Sequence, residues 1–323
     1  MKRLLGMVIA LCCWTFSGNA TASAADLKPV ASVTLPCEST YQMISPTGKT
    51  LAALCNADRS LHVVDIASGK ELFAQASDIR ISASDFSRDG KWFGVGFWDG
   101  TVKIVPLAGG AAQQWRVSEH RIHLIEFLRD GHSVFVDALG DPGQIWDLSG
   151  TAKPVATLHS DFSGPSAVAA SADGKLLATG GGDTVMRIYD TGTWKMLHEN
   201  RNASKLEMFD MDFTPDGKYL LAGGADDHLL VIDAATGEET RKLGGPSGVI
   251  DDVSALGDNT HVLVEYVDAD DVNKPPVHAI WNLDTQKAQA MPGLETVTGH
   301  RVVNGKMWFA STKGTALQIF EYN

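Results

Sequence analysis

Cysteine is scarce in this chain, four in 323 residues, and two of those, Cys12 and Cys13, fall in the opening segment. A disulfide-dense mini-scaffold is therefore excluded. Catalytic signatures are missing too. There is no Cys-x-x-Cys-His for covalent haem, no His-Glu-x-x-His for zinc, no Gly-x-Ser-x-Gly elbow and no phosphate-binding loop. The ten histidines are scattered, with no pair at metal-ligand spacing on one element. Positive charge is short: 27 Lys and Arg against 39 Asp and Glu leave a net charge of −12. That balance argues against nucleic acid or an anionic membrane as partner, since both need clustered Lys and Arg. No apolar run reaches the roughly 20 residues that a bilayer core demands. What is present is 44% hydrophobic, 20% charged and 8% aromatic, a globular composition.

The opening segment has the order of a secretory leader. Lys2 and Arg3 precede an apolar run over 4–16, and a small-residue stretch ends in Ala22-Ser23-Ala24. This predicts a signal peptide over 1–24, cut before Ala25. Leu11 and Cys12 stand where a lipidated cysteine needs a small neighbour, so lipidation is not expected. The mature chain would have 323 − 24 = 299 residues and a net charge of −12 − 2 = −14. It is expected to be soluble, periplasmic or secreted, with no membrane insertion after cleavage.

The mature part repeats. Turns recur at Pro46-Thr47-Gly48-Lys49, Arg88-Asp89-Gly90-Lys91, Arg129-Asp130-Gly131-His132, Ala172-Asp173-Gly174-Lys175 and Pro215-Asp216-Gly217-Lys218. Their glycines lie 42, 41, 43 and 43 residues apart, and Asp258-Asn259 and Asn304-Gly305 continue the series. Asp-Gly between apolar runs is a strong hairpin signal, because glycine takes positive φ without steric cost. In step with it, apolar runs close on a polar residue at Val64-Asp65, Trp146-Asp147, Tyr189-Asp190, Ile232-Asp233, Trp281-Asn282 and Phe320-Glu321. The runs are short and rich in Val, Ile, Leu, Phe and Trp, which reads as all-β.

A period near 43 residues matches four-stranded propeller blades, which run to about 40–45 residues. Asp212-Phe213-Thr214-Pro215-Asp216-Gly217-Lys218, Ala222-Gly223-Gly224-Ala225-Asp226 and the Trp146-Asp147 dipeptide carry a resemblance to the WD40-repeat β-propeller family. The family's Gly-His pair is largely missing, with Glu119-His120 its nearest echo, so the chain looks like a diverged, exported bacterial member or a quinoprotein-dehydrogenase-like propeller. The resemblance implies a single seven-bladed propeller over 25–323, with blades at about 39–76, 80–117, 121–158, 164–200, 206–243, 249–290 and 294–323. The last blade is one strand short, and 27–35 is expected to complete it, closing the ring and covering an open edge.

Several residues are candidates for function. Cys37 and Cys55, the only cysteines beyond the leader, are a candidate disulfide. Asp85, Glu126 and Asp212 share one register, each before a phenylalanine, and could line the central channel with carboxylates. Calcium would suit such oxygen ligands, although a structural carboxylate is the plainer reading. Asp268, Asp270, Asp271 and Asn273 form the longest insertion, ending Lys274-Pro275-Pro276. Trp98 stands next to the Asp99-Gly100 turn and could reach the same rim. Gly164-Pro165-Ser166 and Gly245-Pro246-Ser247 read as equivalent turns. With no nucleophile or cofactor motif, the expectation is a non-catalytic scaffold binding another protein. The predicted rim comprises Arg59, Trp98, Asp141, Asp227, Asp268, Asp270 and Asp271. The alternative is an enzyme or enzyme subunit, a calcium-dependent lactonase-like hydrolase or a periplasmic dehydrogenase propeller.

Overall fold

Short apolar runs between tight turns become strands, β1 to β28 among the described residues. The computed structural model describes residues 27–322 apart from 56, 77, 160–164, 246–247, 269, 272–273 and 292–296. The expected leader lies outside the described residues, as do Gly164, Pro246, Ser247 and Asn273. The chain opens with β1 (Leu27–Thr34). Blade 1 is then β2 (Ser39–Ile44), β3 (Thr50–Cys55), β4 (Leu61–Asp65) and β5 (Glu71–Gln75). Blade 2 is β6 (Ile81–Phe86), β7 (Trp92–Phe97), β8 (Thr101–Pro106) and β9 (Gln113–Arg116). Blade 3 is β10 (Ile122–Phe127), β11 (Ser133–Ala138), β12 (Gln144–Asp147) and β13 (Lys153–Thr157). Blade 4 is β14 (Pro165–Ala170), β15 (Leu176–Gly181), β16 (Met186–Asp190) and β17 (Lys195–Asn200). Blade 5 is β18 (Met208–Phe213), β19 (Tyr219–Gly224), β20 (His228–Asp233) and β21 (Glu239–Gly244). Blade 6 is β22 (Val249–Ala255), β23 (His261–Val267), β24 (Val277–Asn282) and β25 (Lys287–Ala290). Blade 7 takes β26 (Val297–Val303), β27 (Lys306–Lys313) and β28 (Ala316–Tyr322), and β1 adds the fourth strand.

The result is an all-β, seven-bladed propeller of four-stranded antiparallel sheets. Its first strands line the axis and its fourth strands face outward. Because each blade is covered on both faces by its neighbours, the middle strands are buried and mostly apolar on both faces rather than alternating. All six residues of β11 are buried, whereas β13 is largely exposed. The apolar clusters lie between blades: Phe86, Phe93 and Val95 pack against Leu61 and Val63, and Met307 and Phe309 against Leu263 and Ile280.

The repeated turn residues have local roles. Gly48 and Gly90 hold φ of 65° and 68°, and Asn259 takes the same left-handed conformation at 63° in blade 6. In blades 1, 4 and 6 the polar residue closing the third strand folds the next turn: Asp65 Oδ1 accepts from Ser68 N–H at 2.8 Å, Asp190 from Thr193 and Asn282 from Thr285. Pro165 and Ser166 differ from the sequence expectation. They open β14 instead of forming a turn, and the first place of a strand tolerates a residue without N–H.

Closure runs through β1, which pairs antiparallel with β28 from Leu27↔Tyr322 to Thr34↔Ala316, with a bulge between Pro29 and Ala31. Pro29 is tolerated because β1 is the outermost strand of its sheet. Just beyond, Ser39 stands opposite Cys55, and Cys55 is bonded to Cys37 with the Cα atoms 5.6 Å apart. The disulfide ties the closing segment to blade 1.

Candidate functional site

Strand order alone sorts the loops. The connections between second and third strands and those between blades emerge on one rim, and the Asp-Gly turns emerge on the other. Arg59, Trp98, Asp141, Asp227, Asp268, Asp270 and Asp271 all fall on the first rim. Arg59 and Asp227 hold left-handed φ of 58° and 55°. Asp141 accepts a short hydrogen bond from Ser118 Oγ and lies 3.3 Å from His120 Nδ1, tying a second-to-third-strand turn to the preceding interblade link. In the insertion, Asp268 accepts the N–H groups of Asp270 at 2.9 Å and Asp271 at 3.2 Å. The Lys274 ammonium also binds Asp268 and holds its carboxyl below the usual range. Trp98 is 46% exposed and lies between two cations: Arg80 Cζ is 4.7 Å and Arg121 Cζ 5.5 Å from its ring centroid. Ile79, Leu139, Leu206 and Val277 are exposed on the same rim.

In the channel, Asp85, Glu126 and Asp212 do share one register, opposite Gly94, Phe135 and Leu221 of the second strands. Two of them reach sideways. Asp85 Oδ2 accepts the N–H of Phe127 at 3.2 Å, and Asp212 Oδ2 that of Ala255 at 2.9 Å, each donor lying on the first strand of the next blade. Asp210 does the same with Val253 N–H at 2.8 Å. Burial, reinforced by the charge of Asp85, pushes Glu126 up to about 8, and burial pushes Asp212 up to about 6. Two guanidinium groups face these acids. Arg301 Nη2 lies 3.8 Å from Asp85 Oδ1; burial opposes its charge, but the surrounding carboxylates hold its pKa above the usual value. Burial and Arg301 lower that of Arg88. The arrangement therefore links blades through carboxylate acceptors and balances acids against arginines. A cation entering here would compete with both guanidinium groups.

Sequence reasoning misses two further groups. Arg80 and Arg121 flank Trp98 from separate interblade links, with no local motif to connect them. Glu265, His278 and His300 converge from β23, β24 and β26, with Glu265 Oε2 2.8 Å from His278 Nε2 and 3.7 Å from His300 Nδ1. The available signal is in the aligned repeats. The first pair inside the bulge of each first strand places Gly96, Gly180 and Gly223 where blade 6 has Glu265.

Comparison with known proteins follows the same architecture. Residues 70–105, 152–190 and 200–233 match the WD domain, G-beta repeat. The first two stretches run from the fourth strand of one blade through three strands of the next, so the sequence repeat straddles the structural one. No curated protein matches the chain. Among solved structures, a chain of "Crystal Structure of Mitotic Checkpoint Complex" is similar with a TM-score of 0.76 at 17% identity, over 100% of this chain and 99% of that one. At that identity the likeness concerns the fold.

Proposed function

We propose that this WD40-like seven-bladed propeller is an exported, non-catalytic scaffold that binds another protein through the rim carrying Trp98. The observation that supports the reading most directly is the half-exposed Trp98 ring between Arg80 and Arg121. Trp and Arg are the residues most enriched among binding hot spots. A ring already stacked between guanidinium groups loses little freedom when a partner covers it. Ile79, Leu139, Leu206 and Val277 add exposed apolar area on the same rim. The Cys37–Cys55 disulfide fits an oxidising compartment outside the cytoplasm. The similar chain from a checkpoint complex contributes only the general precedent of such a ring within a protein assembly.

The test is capture from periplasmic extract on immobilised protein, followed by affinity measurement with the captured partner. Trp98→Ala should weaken binding about 30-fold, corresponding to a hot-spot loss of about 2 kcal/mol. Lys175→Ala, on the opposite rim, should change it less than twofold. Replacing Asp268, Asp270 and Asp271 together with Asn should slow association and reduce its salt dependence, with melting nearly unchanged. Unaltered binding by Trp98→Ala, together with loss in Lys175→Ala, would place the site on the wrong rim.

A further inference from the structure

The interface between blades 6 and 7 carries a polar cluster where blades 2, 4 and 5 have glycine; blade 3 also has a carboxylate at that place, Asp137, with His123 Nδ1 3.3 Å from it. In blades 2, 4 and 5 the first residue pair inside the bulge places a glycine on the second strand. A Cβ on Gly96, Gly180 or Gly223 would collide with Ile122, Met211 or Ile250 of the next blade. Glycine there lets the next blade pack closely. Blade 6 has Glu265 at that place, with Asp252 opposite it on β22 and His278 opposite it on β24. The corresponding third-strand residue is Val102 in blade 2 and Leu61 in blade 1. Asp252, Glu265 and His278 therefore form one cross-strand row on the face turned toward blade 7. His300 of β26 meets that row.

Three ligand atoms converge. Glu265 Oε2 lies 2.8 Å from His278 Nε2 and 3.7 Å from His300 Nδ1, and all three lie within 4.8 Å of one another. His278 is 1% exposed; the 2.8 Å approach of Glu265 Oε2 to its Nε2 is an ion-pair contact, and neither ring nitrogen makes an aligned hydrogen bond. A buried imidazole without a hydrogen bond is a strong departure from ordinary packing. His300 is oriented from behind: its Nε2 lies 2.8 Å from Asp252 Oδ1, which also accepts from Ser254 Oγ at 3.0 Å. With Nε2–H donated to Asp252, the Nδ1 lone pair points toward Glu265 and His278. A carboxylate behind a ligating imidazole is the usual outer support of a metal site. Phe309 of β27 also meets the two imidazoles, with ring centroids 6.1 and 6.2 Å from His278 and His300, so the pocket is apolar on the blade 7 side.

We propose that Glu265, His278 and His300 bind one zinc-type divalent metal ion between blades 6 and 7. Two imidazole nitrogens and one carboxylate oxygen are the donor set of three-ligand zinc sites, with a fourth position left for water. The ion would clamp the closing blade to its neighbour. It would also bond His278 Nε2, whose 2.8 Å contact with Glu265 Oε2 is not aligned as a hydrogen bond. This inference is independent of the rim's partner.

The test uses untagged mature protein without reductant, so that the Cys37–Cys55 bond keeps both thiols out of the count. The protein is stripped with a chelator, exchanged into zinc and gel-filtered. Elemental analysis should find one zinc per chain, and the melting temperature should rise by several degrees over the stripped form. Cobalt should give the visible absorption of a four-coordinate site. Glu265→Gln and His300→Gln should each abolish retention of zinc while circular dichroism shows the parent fold. Asp252→Asn should weaken affinity about 10- to 100-fold. Two variants guard against a folding failure in either. Less than stoichiometric zinc in the parent, or equal retention by the folded variants, would overturn the proposal.

Discussion

Glu126 gives up hydration at the channel wall and faces the charge of Asp85, and both effects favour its protonated form. Its pKa in the folded protein is about 8, against 4.5 for the ordinary side chain. The folded state therefore holds a proton that the unfolded state has released, and stability falls as pH rises between these two values. Asp212, pushed to about 6, adds a slope of the same sign over the lower part of the window. Glu126→Gln should melt close to the parent at pH 5 and clearly above it at pH 9. Equal pH dependence in the two would show that Glu126 is ionised without penalty. The register of this residue with Asp85 and Asp212 is legible in the sequence, since each precedes a phenylalanine in a repeated position. Their tasks are not. That Asp85 and Asp212 accept N–H groups 42 and 43 residues further on depends on how far one blade is rotated from the next. The turn aspartates are easier to read, because Asp65 and Asp190 serve groups three residues away.

The second strand of a blade packs on the first strand of the next, and there small size matters as much as apolarity. Gly223 carries no special dihedral, yet a Cβ on it would strike Ile250 and Val253 of blade 6. Gly223→Ala should therefore cost about 1–3 kcal/mol through overpacking, read from urea unfolding. Gly150 has nothing within 4 Å of an added Cβ, and its alanine variant should stay within about 0.5 kcal/mol of the parent. Equal effects would mean that the interface has slack. At this scale the sequence is most informative. Strand runs, turn glycines and the missing fourth strand all lie within one repeat and need no knowledge of neighbours. Pro165 is read wrongly because a proline-serine pair after glycine resembles a turn, while the register that makes it the start of β14 is set by its partner Gly181. The imidazole pair escapes notice because His278 and His300 come from different blades.

The ring is completed by residues from opposite ends of the chain. Removing β1 would leave β28 with an open edge and expose Leu317 and Ile319, which share a cluster with Val33. A chain beginning at Glu38 should melt well below one beginning at Ala25, by scanning calorimetry, and an unchanged melting temperature would show that the strand is dispensable. The Cys37–Cys55 bond closes a loop of separation 18, worth about 3 kcal/mol by loop entropy. Opening it by the Cys37→Ser, Cys55→Ser double change should reduce stability by up to that amount in denaturant titration. The pairing has a mechanical side as well. Leu27 and Tyr322 are neighbours at one end of one antiparallel ladder, so tension applied through the two ends of the described chain would load that ladder alone. It would peel rather than shear, with hydrogen bonds parting a few at a time from Leu27↔Tyr322 toward Thr34↔Ala316. On the N-terminal side the peeling would stop at Cys37, where the covalent bond to Cys55 passes the load into β3. The other six blades would remain slack until that point.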